Sequence, residues 1–185
     1  MIEVRWHGRG GQGAFTAARL LGAAALGDGK FALAFPSFGP ERRGAPIQAF
    51  TRIDDHRVVD RSVLRACDFS IVLDETLMGP GVVSGIRKNG LLLVNSARPA
   101  EEWAGIGVRV LTIDVGAIAR TVLGRPIVNT GMIGALLAVS GAVSLGAALR
   151  AIQSEMRAPL AVKNAEVLRR CHDLAKEELD GKAVR

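Results

Sequence analysis

The stretch best equipped for chemistry is Gly8-Arg9-Gly10-Gly11-Gln12-Gly13. Four glycines in six residues let the backbone turn sharply and leave its N–H groups uncovered. The apolar run from Ile2 to Trp6 ahead of it reads as a strand, and a helix opens near Ala14. The first N–H groups of that helix, with about half a positive charge, point at the same spot. A phosphate or a carboxylate could sit there, held by Gly8, Gly10, Gly11, Gln12 and Gly13. A tight strand-to-helix turn without a ligand would use the same residues.

Gly8, Gly10 and Gly13 satisfy the G-x-G-x-x-G spacing of dinucleotide-binding turns. The second strand, however, ends at Phe35-Pro36, and no acidic residue closes it to hold a ribose. That argues against NAD. A second candidate binding segment follows at once, Pro36-Ser37-Phe38-Gly39-Pro40-Glu41-Arg42-Arg43-Gly44-Ala45-Pro46. Its three prolines and two glycines forbid regular structure and fix the path of a rigid loop. Arg42 and Arg43 could bind carboxylate or phosphate bidentately, or stand as solvated charges on an exposed loop. Ser37, in the same loop, and Asn129, ahead of an uncharged helical stretch, complete the candidate binding set.

Other chemistries find no support. Cys67 and Cys171 are far apart and neither belongs to a C-x-x-C, so no iron–sulfur or zinc site is encoded and both read as buried free thiols. His7, His56 and His172 lack metal spacing, and His7, at the end of the first strand, reads as a structural histidine beside the glycine loop. Asp60, Asp68 and Asp74 flank apolar runs and read as turn or cap residues. No Ser-His-Asp, Cys-His or carboxylate pair stands out, so no catalytic residue is assigned. Gly27-Asp28-Gly29 matches the first half of a thiamine diphosphate signature, but the asparagine that should follow it is absent.

These segments must be positioned by a chain of 185 residues, with a formal net charge of +6, no Tyr and an Ala-, Leu-, Val- and Gly-rich composition. The basic residues are scattered and not interleaved with aromatics, which disfavours nucleic acid and favours an anionic ligand or an acidic partner surface. Gly131 to Leu149 carries no charge and approaches bilayer length, but Ser140-Gly141-Ala142-Val143-Ser144 breaks it into two buried helices, so no membrane span is expected. With no signal peptide ahead of the first strand, the expected location is cytoplasmic.

Strands are expected at Phe31–Phe35, Ile47–Ile53, Phe69–Asp74, Gly90–Ser96 and Val108–Ile113, with a short return at Arg57–Val59. Helices are expected over Ala14–Leu26, from about Pro80, over Gly116–Leu123 and over Leu160–Leu179, with a helical turn at Ser62–Ala66. In the last helix Leu160, Val167, Leu168, Cys171 and Leu174 form the apolar stripe, and Glu166 and Arg170 pair at i, i+4. The alternation predicts an α/β fold: a three-layer, doubly wound, mainly parallel, Rossmann-like sheet. It spans one domain over residues 1–180, with 181–185 a frayed tail.

The glycine stretch, the proline–glycine–arginine loop, Ala49-Phe50-Thr51-Arg52-Ile53, Asn129-Thr130-Gly131-Met132-Ile133-Gly134-Ala135 and Lys163-Asn164 together resemble the gamma subunit of 2-oxoacid:ferredoxin oxidoreductases, of the pyruvate and ketoisovalerate type. The similarity covers almost the whole chain. Glu41-Arg42-Arg43-Gly44-Ala45-Pro46 sets it apart from the beta subunit of indolepyruvate oxidoreductase, whose loop reads Gln-Arg-Gly-Gly. The resemblance implies a subunit of an enzyme that converts a 2-oxoacid to acyl-CoA. Thiamine diphosphate and iron–sulfur clusters would lie on partner subunits of alpha, beta and delta type, with ferredoxin an indirect partner. This chain would help to bind coenzyme A through the candidate set above and would be inactive alone. Two alternatives stay open: a free-standing Rossmann-like nucleotide-binding protein, and a purely structural interface subunit. The isolated chain could also form a homodimer.

Overall fold

The computed structural model describes residues 1–37 and 44–183, with side chains to residue 180. Six strands form one sheet in the order β2-β3-β1-β4-β5-β6. They are β1 (Ile2–Arg9), β2 (Phe31–Pro36), β3 (Pro46–Asp54), β4 (Cys67–Val72), β5 (Ile86–Asn95) and β6 (Arg109–Ile113). β1 pairs in parallel with β4, β4 with β5, and β5 with β6. β3 runs antiparallel to both β1 and β2. Five strands therefore point one way and β3 alone is reversed. The β2–β3 connection is too short for a crossover helix, so the two strands form a hairpin. The α/β class and the mainly parallel direction agree with the expectation; the sheet is nonetheless mixed.

Six helices accompany it: α1 (Ala14–Gly27), α2 (Pro80–Val83), α3 (Val115–Leu123), α4 (Asn129–Ser140), α5 (Leu145–Glu155) and α6 (Ala158–Ala183). The main core joins Val4, Trp6, Ile71, Leu93 and Leu111 from one sheet face to α1, α3, α4, α5 and α6. The other face carries a thin cover: Val72, Leu92 and Val94 pack against Val82 of the four-residue α2 and against connecting loops. The third layer is thus loops and short helical turns, among them Glu75–Leu77. α2 ends early because β5 already starts at Ile86, and Gly85, at φ +77°, turns between them against the backbone of Arg65.

The two faces of β1 differ in character. Val4 and Trp6 point into the helical core. Trp6 Nε1 donates to Thr51 Oγ1 at 3.1 Å, which donates to the Ala18 carbonyl at 3.1 Å, tying β1, β3 and α1 together. Glu3, Arg5 and His7 alternate onto the opposite face and are also buried. There Arg52 Nε donates to Glu3 at 2.9 Å and Arg87 pairs with the other Glu3 oxygen. Arg5 donates to the carbonyls of Val82 at 3.0 Å and Ser84 at 2.5 Å.

Several local expectations change. Ser62–Ala66 is not helical and Arg57–Val59 forms no strand. Arg52 reaches across to the Asp60 carboxylate and carbonyl and pins this segment as a loop, while Leu64 packs on the Phe35–Phe50 cluster. Leu160 is 49% exposed and leaves the apolar stripe of α6, which instead uses Ala161, Ala165, Val167, Leu168, Cys171 and Ala175. Small residues prevail there because α4 crosses closely. An added Cβ on Gly134 would collide with the Leu168 backbone, and one on Gly131 with Val115 and Cys171. Glu166 and Arg170 do pair, at 2.6 Å. The uncharged stretch splits into α4 and α5 at Gly141, φ +57°. Among the described residues, no helix is long and apolar enough to cross a membrane. Asp28, inside Gly-Asp-Gly, accepts from Ser144 N at 2.5 Å and Ser144 Oγ at 2.8 Å, a structural tie between the ends of α1 and α5.

Candidate functional site

β1 ends at Arg9, and the glycine turn leads directly into α1. Its glycines do different jobs. Gly11 (φ +95°) and Gly13 (φ +82°) occupy left-handed backbone, which only glycine adopts freely. A Cβ on Gly13 would lie 2.7 Å from Asn129 Nδ2, so this glycine also admits the start of α4. A Cβ on Gly8 would crowd Leu73 and Ala14 at 3.2 and 3.3 Å. Gly10 is clamped to the end of the β2–β3 loop: its N–H donates to Ala45 O at 2.9 Å, and its carbonyl accepts from Gly44 N at 3.1 Å.

Arg9 and Gln12 turn onto β4 rather than outward. Arg9 Nε pairs with Asp74 Oδ2 at 3.1 Å, and its other nitrogens reach Thr76 Oγ1 at 2.8 Å and Gly44 O at 3.2 Å. Gln12 Oε1 accepts from the Arg9 N–H at 2.6 Å, and Gln12 Nε2 donates to Asp74 Oδ2 at 3.0 Å. The other Asp74 oxygen accepts from Thr76 N at 3.0 Å and from Thr76 Oγ1 at 2.6 Å. Burial works against the Asp74 charge, but the hydrogen bonds from Thr76 and Gln12 and the Arg9 guanidinium prevail and hold its pKa below the ordinary value. Asp74 is a cap, as expected, and also the anchor of the glycine loop.

A crevice of about 490 Å³ opens where the carboxyl ends of β4, β5 and β6 meet this loop. This is where parallel α/β sheets hold ligands, and the volume suits a small molecule. Its lining includes Gly11 and Gln12 of the glycine turn, Asp74, Glu75 and Thr76 after β4, Asn95 and Ser96 at the end of β5, Asp114 after β6, and Gly116 and Arg120 of α3. Asn95 braces this lining: its Nδ2 donates to Leu73 O at 3.0 Å and its Oδ1 accepts from Gly116 N at 3.1 Å. Glu75 is taken by Ser96 Oγ and by Arg98 at 3.3 Å, and Asp114 Oδ1 caps α3 through Ala117 N at 2.8 Å.

Of the candidate binding set, Gly11 and Gln12 line the crevice, and Asn129 packs against Gly13. Asn129 is not the N-cap of α4. The helix begins at Asn129, with Val128 at the cap position, and Asn129 Oδ1 accepts from Thr130 N at 2.9 Å. Thr130 donates to Asn164 at 2.8 Å instead, pinning α6 onto α4. Ser37 pairs with Gln48 at the end of the hairpin and does not line the crevice. Arg42 and Arg43 fall outside the described residues. Asp74, Asn95, Asp114 and Arg120 were not among the candidates. For the first three the signal is a polar residue closing an apolar strand run, as in Val72-Leu73-Asp74, Val94-Asn95 and Ile113-Asp114, whereas Arg120 lies within α3 and carries no such signal. The acid sought at the end of the second strand stands at the end of β4, the parallel neighbour of β1. Both its oxygens are already engaged within the protein.

His7 is 4% exposed, on the polar face of β1. Its Nδ1 lies 3.5 Å from Gln48 Nε2, and its Nε2 has no hydrogen-bond partner. Burial, with a smaller contribution from the Arg5 charge, pushes its pKa down to about 4, so the ring is neutral at pH 7. Cys67 and Cys171 are buried free thiols. Burial raises both pKa values, Cys171 to about 12, so neither is a thiolate nucleophile.

A Rossmann-like α/β chain with a glycine turn over a strand-end crevice is, as a class, a ligand-binding or subunit scaffold. The particular family follows from comparison with known proteins. Residues 3–174 match the family model described as pyruvate ferredoxin/flavodoxin oxidoreductase, and the chain belongs to that family, as a subunit of its gamma type. It is 48% identical over 167 residues to pyruvate synthase subunit PorC of Methanocaldococcus jannaschii, an alignment covering 90% of this chain and 92% of the relative. It is 40% identical to the common gamma subunit of the pyruvate/ketoisovalerate oxidoreductases of Thermococcus litoralis, over 91% and 94% of the two chains. The crystal structure of pyruvate oxidoreductase subunit PORC from Thermotoga maritima superposes with a TM-score of 0.83 at 39% identity, over 93% and 95% of the chains. A 2-oxoglutarate:ferredoxin oxidoreductase from Magnetococcus marinus, solved with 2-oxoglutarate, coenzyme A and succinyl-CoA bound, shares the fold alone. It gives a TM-score of 0.74 at 16% identity, over 95% of this chain and 31% of that one.

Proposed function

We propose that this chain is the gamma subunit of a cytoplasmic pyruvate-type 2-oxoacid:ferredoxin oxidoreductase. It assembles with alpha, beta and delta-type subunits and helps to bind coenzyme A. The observation that supports this reading best is the strand-end crevice, with Gly11 and Gln12 at its lip. A volume of about 490 Å³ takes part of a coenzyme A molecule, leaving the thiol end to reach a partner chain. The decarboxylation and electron transfer belong to those partners, which carry thiamine diphosphate and the iron–sulfur clusters. This chain's residues bind and orient. The glycine loop is held rigid by Arg9, Gln12 and Asp74, and Arg42 and Arg43 on the neighbouring loop grip phosphate.

The test is a tagged purification from the native host, assayed for coenzyme A-dependent pyruvate oxidation with a viologen dye. Brown, larger partners and that activity support the reading; a colourless chain without partners overturns it. In the assembled enzyme, Arg42→Ala removes a charge-assisted contact worth about 1.5–3 kcal/mol and weakens use of coenzyme A roughly tenfold or more.

A further inference from the structure

We infer that Arg120 is the phosphate-binding side chain of the crevice; the inference rests on the coenzyme A reading above. Among the described residues, Arg120 is the one arginine that lines the crevice. The acids around it are already committed: Asp74 to Arg9, Gln12 and Thr76, Glu75 to Arg98 and Ser96, and Asp114 to the first turn of α3. Arg9 offsets the charge of Asp74 and Arg98 that of Glu75, and among the described residues Arg120 has no salt-bridge partner within 4 Å, so its guanidinium is open to a ligand.

The helix geometry aims that charge. Long side chains on a helix lean toward its N-terminus, over the preceding turn. Arg120 does so: its Nη1 and Nη2 lie 3.5 and 3.9 Å from where a Cβ of Gly116 would stand, with Asp114 Oδ1 3.3 Å from the same point. Bare backbone at Gly116 leaves room for the guanidinium beside it, on the wall of the same crevice that Gly11 lines. Guanidinium is planar and forks onto phosphate oxygens. Coenzyme A offers a diphosphate and a 3′-phosphate, and this position fits either group.

The experiment uses the assembled oxidoreductase with Arg120→Gln or Arg120→Lys in this subunit. Measured are kcat and KM for coenzyme A, inhibition by ADP as a diphosphate probe, and subunit stoichiometry. The expected result is a KM about tenfold higher in Arg120→Gln, kcat within twofold, parallel weakening of ADP inhibition, partial rescue in Arg120→Lys, and intact stoichiometry. An unchanged KM in Arg120→Gln, with a raised KM in Arg42→Ala, overturns the Arg120 role and leaves coenzyme A binding by this chain in place. An unchanged KM in both overturns both. Loss of partner subunits from Arg120→Gln makes Arg120 an interface residue and also overturns the proposal.

Discussion

The two faces of β1 do opposite things with alternate residues of one strand. Val4 and Trp6 bury apolar surface against helices, with one hydrogen bond at the Trp6 nitrogen. Glu3, Arg5 and His7 bury charge and polarity under loops, held by Arg52, Arg87 and carbonyls from distant segments. Apolar burial is non-directional and stabilises wherever volume is filled. Buried charge stabilises only where each partner is in place, and a lone survivor is costly. The apolar face should thus lose stability in proportion to volume, and the polar face should fail when a single partner is removed.

Trp6→Ala carries the largest expected effect. It empties a fully buried indole site and removes the hydrogen bond that Thr51 Oγ1 accepts, at a cost of about 4 kcal/mol, read by urea unfolding. Glu3→Gln should follow at about 2–3 kcal/mol, because Arg52, 4% exposed, loses the buried one of its two carboxylate partners and keeps only the exposed Asp60. If Glu3→Leu with Arg52→Met recovers most of that loss while neither change alone does, the polar face acts through pairing. If the double variant is as unstable as the singles, the contrast between the faces collapses.

Acid should separate the faces next. His7 has its folded pKa near 4, below the ordinary value of 6.5. Between those values the unfolded chain binds a proton that the folded chain refuses, so stability present above pH 6.5 is lost as pH falls toward 4. At pH 5 the loss is about 2 kcal/mol relative to pH 7. His7→Gln removes that share, so parallel pH profiles for wild type and variant would exclude His7 as its source. The smallest effect falls at the lip of the crevice. Gly11→Ala meets nothing within 4 Å but must hold φ +95°, at a cost of about 1 kcal/mol in thermal unfolding.

Much of this molecule was legible in local sequence. Apolar runs located the sheet strands, the break at Gly141 divided the uncharged stretch, and the glycine turn did fall between strand and helix. Ser37 shows the limit. It sits beside the arginine loop in sequence, yet its hydroxyl and N–H close the hairpin on Gln48. Leu160 shows another: hydrophobicity placed it on the α6 stripe, but it is 49% exposed, and α4 meets α6 further along, at Val167, Leu168 and Cys171. The Gly131 and Gly134 positions carry that second message, and it is unreadable until the two helices are crossed.

What the sequence by itself determined is the α/β class, the turn at Gly8–Gly13 and the membership of the family, because periodicity, glycine conformation and motif spacing are properties of contiguous residues. What only the tertiary structure decided is the crevice. Asp74, Asn95 and Asp114 lie 62 to 102 residues beyond Gln12, and only the parallel pairing of β1, β4, β5 and β6 sets their strand ends side by side, with Arg120 following on α3. The reversal of β3 and the identity of the acid beside the glycine turn follow from that same long-range pairing, which no local pattern encodes.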